Sequence, residues 1–135
     1  MIARVLRSFA AVSAALLSSS GYAAAPEPPF DLVCTGTEQT VRDGPEAPWS
    51  GRFHVNLDEQ TYCREACADA QTIQSVSPDR IVFYHDVTSA GGGAEFVERA
   101  NGRYMLVAIT PTSFRAREAT CRRAAYTGPR RIRRF

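Results

Sequence analysis

AEFVERANGRYMLVAIT, residues 94–110, sets two segments rich in β-branched and aromatic residues on either side of Asn101-Gly102. An Asn-Gly pair accommodates the two positive φ angles of a two-residue hairpin turn, so 94–100 and 103–110 are expected to pair as an antiparallel β-hairpin. The same punctuation recurs on both sides of it. QTIQSV (71–76) and RIVFYHDV (80–87) flank Ser77-Pro78-Asp79, where Pro78 suits the second position of a tight turn. RFHVNLD (52–58) alternates, with Phe53, Val55 and Leu57 on a dry face and Arg52, His54, Asn56 and Asp58 on a wet one. DLVCTGTEQTV (31–41) reads as a first strand, RDGPEAPWSG (42–51) as a turn-rich loop, and SFRAREATC (113–121) as a last strand with Arg115 and Arg117 opposite Phe114 and Ala116. The only helix expected is a short turn around EACADAQ (65–71). The fold class is therefore all-β: an antiparallel meander of six to eight strands forming a small barrel, with a β-sandwich as the alternative. Closure is favoured because it removes exposed strand edges.

Outside this run, the first 23 residues carry Arg4 and Arg7, then an apolar run from Phe9 to Leu17, then small residues up to Ala23. That is the pattern of a secretory signal peptide cleaved near Ala23, and the apolar run is too short to span a bilayer. The expected organisation is a signal peptide at 1–23, an extended Pro/Ala-rich arm at 24–30, one β domain at 31–128 and a basic tail at 129–135. After cleavage the chain would have fourteen arginines against fourteen acids. Ala24–Pro129 alone has ten arginines and a balance of −4. A mildly acidic body excludes a phosphate-dominated interface, so no nucleic acid is expected as a partner. Arg130, Arg131, Arg133 and Arg134 are expected at most to touch an anionic surface weakly.

An exported chain meets an oxidising compartment, where an even number of cysteines forms disulfides. Four cysteines allow three pairings. Cys63 and Cys67 are spaced for a local clip, which leaves Cys34 and Cys121 to join the first strand to the last, neighbours in a closed meander. The long bridge should restrict the unfolded chain by about 4–5 kcal/mol, the local one by about 2. A redox role is disfavoured by the three-residue spacing and by Glu65 between the thiols, and no second spaced pair completes a metal site. No metal and no cofactor are expected.

His85-Asp86 invites an acid/base reading, but adjacent strand residues point to opposite faces. No nucleophile elbow is present, so no catalytic residue is assigned. Gly91-Gly92-Gly93 lacks the lysine and helix start of a phosphate cradle, and reads as a flexible loop at a barrel mouth. Trp49, the only tryptophan, lies in the proline-bounded APWSG. Trp49, Gly91, Gly92 and Gly93 are the candidate binding loop residues. Glu95, Arg99, Arg115 and Arg117 read as exposed cross-strand ion pairs.

FDLVCTGT, FHVNLD with its paired-cysteine loop, and the cysteine of EATCRRAAYTG resemble small secreted bacterial β-proteins with four cysteines, a likeness that implies no activity. GGGAEF and the first-to-last cysteine pairing also resemble small periplasmic inhibitors of C-type lysozyme, β-barrels that insert a serine- and glycine-rich loop into the enzyme's cleft. Where those inhibitors have serine and tyrosine, this chain has Gly92 and Phe96. The expected function is a non-enzymatic periplasmic or secreted binding module using loops 42–51 and 88–95 on an envelope protein or small ligand. The alternatives are an inhibitor of a host or competitor enzyme such as lysozyme, and an enzyme with an unrecognised site.

Overall fold

The structure, a computed structural model, describes residues 26–129. The expected signal peptide and the four tail arginines, Arg130, Arg131, Arg133 and Arg134, lie outside the described residues. Of the expected arm, residues 26–29 run without regular structure and Phe30 already opens the first strand.

The described chain is all-β: β1 (Phe30–Gln39), β2 (Ala47–Asn56), β3 (Thr61–Arg64), β4 (Gln71–Thr72), β5 (Ser75–Val76), β6 (Arg80–Thr88), β7 (Gly91–Glu98), β8 (Arg103–Ile109) and β9 (Phe114–Ala125). They form one antiparallel sheet in the order β4-β3-β2-β1-β9-β8-β7-β6-β5, curled into a half-barrel. The count is nine rather than six to eight because Thr61–Arg64, expected as part of a loop, forms β3, and the segment expected as one strand at 71–76 divides into β4 and β5. Its backbone serves both edges of the sheet. The Ile73 N–H donates to the Gln60 carbonyl (2.8 Å), beside β3, and the Gln74 N–H donates to the Val82 carbonyl of β6 (2.9 Å).

This seam closes only one end of the molecule. β3 pairs with Phe53–Asn56 of β2, and β5 with Ile81 and Val82 of β6. Farther up, residues 47–51 of β2 and 84–88 of β6 have a strand partner on one side alone. The closed lower half is dry. Phe53 stacks on Phe83 with ring centroids 5.2 Å apart, Tyr62 meets Phe83 at 4.6 Å, and Leu32, Val55, Ile73, Ile81 and Val97 are buried around them. Each fully buried side chain of this kind contributes about 1.5–3 kcal/mol.

Cys34 and Cys121 are direct partners in the β1–β9 register, with Cα atoms 3.9 Å apart, and form one disulfide; Cys63 and Cys67 form the other. The second clip is not helical. Glu65 and Cys67 have φ angles of 47° and 54°, which a right-handed helix excludes, and the Cys67 N–H closes a tight turn onto the Arg64 carbonyl (3.0 Å). Both disulfides fit an oxidising, extracytoplasmic environment. No helix of the described residues is long and apolar enough to cross a membrane.

The hairpin at Asn101-Gly102 forms with a different turn from the one expected. Four residues, 99–102, connect β7 to β8, and the Gly102 N–H donates to the Glu98 carbonyl (2.9 Å). Only Gly102 takes a positive φ, +73°, and a Cβ there would sit 2.1 Å from the Cys121 carbonyl. Asn101 acts through its side chain, accepting from the Arg103 N–H (2.8 Å) and donating to Glu98 (3.0 Å).

Candidate functional site

Directly opposed residues of paired strands share a face, so the register assigns the concave side of the upper half. Trp49 opposes Gly36, Glu38 opposes Arg117, Arg117 opposes Leu106, Leu106 opposes Glu95, and Ala108 opposes Gly93. Arg115 and Arg117 thus point inward, with Phe114 and Ala116 outward, the reverse of the expected assignment. Because this half opens to water, charge can occupy the concave side.

A polar layer separates the dry core from the open trough. Glu95, expected on a wet face, is 2% exposed. One of its oxygens accepts the Tyr104 hydroxyl at 2.7 Å and the other is ion-paired with Arg64. Burial and the neighbouring carboxylate push the Tyr104 phenol far above its usual range, so it remains a donor at any physiological pH. Trp49 lies against Tyr104, nearly parallel, with ring centroids 5.3 Å apart. The Arg117 guanidinium sits 4.8 Å above Trp49 and donates to Glu38 at 2.7 Å. Arg115 reaches the same carboxylate oxygen at 3.4 Å.

Above that layer the wall falls away. A groove of about 330 Å³ is lined by Tyr84, Asp86, Gly91, Gly92 and Ala108, together with the 109–111 turn. The glycines lie in strand β7, which corrects the expected flexible loop: 88–91 is a tight two-residue turn and 92–97 is paired on both sides. Packing accounts for three glycines in a row. A Cβ on Gly92 would meet the Asp86 carbonyl at 2.7 Å, and one on Gly93 would meet the Val107 carbonyl at 2.6 Å and Tyr84 at 3.0 Å. Trp49, also expected in a loop, belongs to β2. The structure brings Trp49 and Gly93 onto the same concave face, which their sequence separation conceals. His85 and Asp86 diverge, and the His85 carbonyl accepts from the Gln74 amide (3.0 Å).

A second polar cluster lies on the convex face and was missed from the sequence. Asp31, fully buried, opposes His54 in the β1–β2 register. His54, expected to be wet, is 5% exposed. Its Nδ1 lies 2.7 Å from Asp31 Oδ1 and its Nε2 lies 2.9 Å from the Glu65 carbonyl. The other Asp31 oxygen accepts from the Thr127 hydroxyl (2.6 Å), the Thr127 N–H (3.2 Å) and Arg52 (3.0 Å). Burial raises the Asp31 pKa, but the hydrogen bonds from Thr127 and His54 outweigh it and hold the carboxyl below its usual value. Segment 126–129 covers the cluster, which is why a nominally wet histidine is dry. The register, Asp31 beside His54 across a hairpin, was the available signal. With both ring nitrogens engaged, this pair clamps the clip at 63–67 and the 126–129 segment onto the sheet.

Among the described residues, no group of three or more His, Cys, Asp or Glu is placed to hold a metal ion. Compared with known proteins, the chain matches no family model, and neither the curated proteins nor the solved structures contain a significant match to it.

Proposed function

We propose that the chain is a secreted or periplasmic, non-catalytic binding module whose partner sits in the open upper half of the barrel. The observation that carries this reading is the contrast in filling: aromatic side chains occupy the lower interior, whereas in the upper half a groove bounded by Tyr84, Asp86, Gly91, Gly92 and Ala108 stays open and residues 47–51 and 84–88 each keep one strand edge without a partner. Unpaired edges accept an extended segment by strand addition, and the glycines let its backbone approach closely. An inhibitor that inserts a loop into an enzyme needs a projecting segment at 91–93. Those residues are strand, which favours a surface that receives over one that inserts. Export rests on the signal-like 1–23 and on the disulfides.

The test is recovery of partners from an envelope extract by the oxidised chain, by Ala108→Arg, which fills the trough, and by Thr35→Arg on the convex face. A partner retained by the wild type and Thr35→Arg but lost by Ala108→Arg supports the trough. A partner retained equally by all three removes it.

A further inference from the structure

The end opposite the trough holds a small cavity of about 150 Å³. Its walls are apolar and buried, formed by Phe30, Leu32, Ile81, Val97 and the Cys121 half of the long disulfide. Arg99 and Arg123 stand at its mouth, together with Glu27 and Glu98. Glu98 already has partners, Arg80 at 3.4 Å and Asn101 at 3.0 Å. Glu27 comes from the irregular arm. Its two oxygens are divided between the arginines, Oε2 with Arg99 at 2.9 Å and Oε1 with Arg123.

Two guanidiniums thus share one carboxylate, the second mouth carboxylate, Glu98, being held by Arg80 and Asn101. Each arginine has an anchor besides Glu27, although Arg123 also donates to the Pro28 carbonyl of the arm (3.5 Å). Arg99 donates to the Ser77 carbonyl (3.2 Å) and is anchored by its own N–H on Asp79 (2.8 Å), while the Arg123 guanidinium lies 3.9 Å above the Phe30 ring. The arm is rich in proline and lies outside the sheet ladders. Glu27 can therefore leave without dismantling the site.

We infer that this is an arm-gated binding site for a small organic carboxylate: the paired arginines take the acid group, the cavity takes one ring or a short branched tail, and Glu27 is its built-in competitor. Size sets the class. About 150 Å³ accommodates a benzene-sized group, whereas ordinary ligand pockets are about 300 Å³ or more. Planar, two-point recognition of a carboxylate is what guanidiniums do best. A tethered competitor acts at an effective concentration in the millimolar range, so the wild type should bind weakly. This site lies at the other end from the trough and stands or falls separately from the proposed function.

The experiment is an NMR titration of the full oxidised chain with benzoate, and with benzamide as the neutral counterpart. Benzoate is expected to shift the Leu32, Ile81 and Val97 methyl signals saturably, and benzamide to leave them still. Glu27→Gln should tighten benzoate about tenfold or more, and Arg99→Gln or Arg123→Gln should weaken it by a similar factor. Methyl signals that ignore benzoate, that follow benzamide equally, or that stay still while only arginine signals move would each overturn the inference. Should Glu27→Gln misfold, the wild-type benzoate and benzamide titrations decide alone.

Discussion

The two halves of this one sheet are built from the same strands yet solve opposite problems. Below, the 71–76 segment bonds beside β3 on one side and to β6 on the other, and one cluster of aromatic and aliphatic side chains fills the space between. Above, β2 and β6 continue without that seam, and the concave face carries Arg115, Arg117, Glu38 and a strip of glycine. Glu95 and Tyr104 mark the boundary, a buried charge made tolerable by two partners. The difference teaches that closure in this fold is a matter of strand length. Extending β3 and β5 upward by a few residues would seal the barrel; leaving them short creates a usable concavity at the expense of two strand edges.

The largest expected effect concerns what fastens the closed half. Replacing Cys34 and Cys121 together with serine should cost about 4–5 kcal/mol, against about 2 kcal/mol for Cys63 and Cys67. Urea unfolding of both variants measures the pair, and equal losses would remove the claim that the β1–β9 seam dominates. Next comes a direct comparison of the halves. Phe53→Ala should cost about 4 kcal/mol, because its ring is 1% exposed and packs on Phe83 and Tyr104. Trp49→Ala, a larger deletion from the half-open end, should cost about 2 kcal/mol, since part of the ring already meets water. Thermal melts with Trp49→Ala the more damaging of the two would break the dry-below, open-above division.

The convex clamp gives a third measurement. Asp31→Asn should cost about 3 kcal/mol near neutral pH by leaving Arg52, His54 and Thr127 without their charged acceptor. The sign with pH follows from the lowered Asp31 pKa. The carboxylate's contribution is complete above its unfolded value of 3.8 and fades as acid takes the pH through the lower folded value. Wild-type stability should therefore fall below about pH 4, with a shallower fall for Asp31→Asn. Identical acid profiles would mean that the clamp contributes nothing. The smallest effect is expected at the trough: Ala108→Arg should cost about 0.5–1 kcal/mol, because the new guanidinium faces Arg115 across the β8–β9 pair, and the folded protein remains usable as a binding probe.

Much of the fold was legible in the residues because strand patterns are local. Phe53 and Val55 read as inward and are buried, the turn at Ser77-Pro78-Asp79 forms, and the cysteine pairing follows from which strands are neighbours. The failures are equally specific. His54 sits on the face the alternation calls wet, and what dries it is a segment 72 or more residues away, Tyr126 to Pro129. Arg117 and Glu95 were placed in water because charge usually is. Both face inward instead, Arg117 paired with Glu38 and Glu95 buried between Tyr104 and Arg64. Gly91–Gly93 looked like a loop because glycine is rare in strands, although here close backbone contact is what demands it.

By itself the sequence determined an all-β chain, a first-to-last disulfide, a central hairpin and a mildly acidic body. Each of these follows from residue type and short-range periodicity. Only the tertiary structure decided that the barrel closes at one end alone, that Trp49 and Gly93 share its concave face, and that Glu27 rests between Arg99 and Arg123. Those outcomes depend on strand lengths and on contacts between distant segments, which no window along the chain contains.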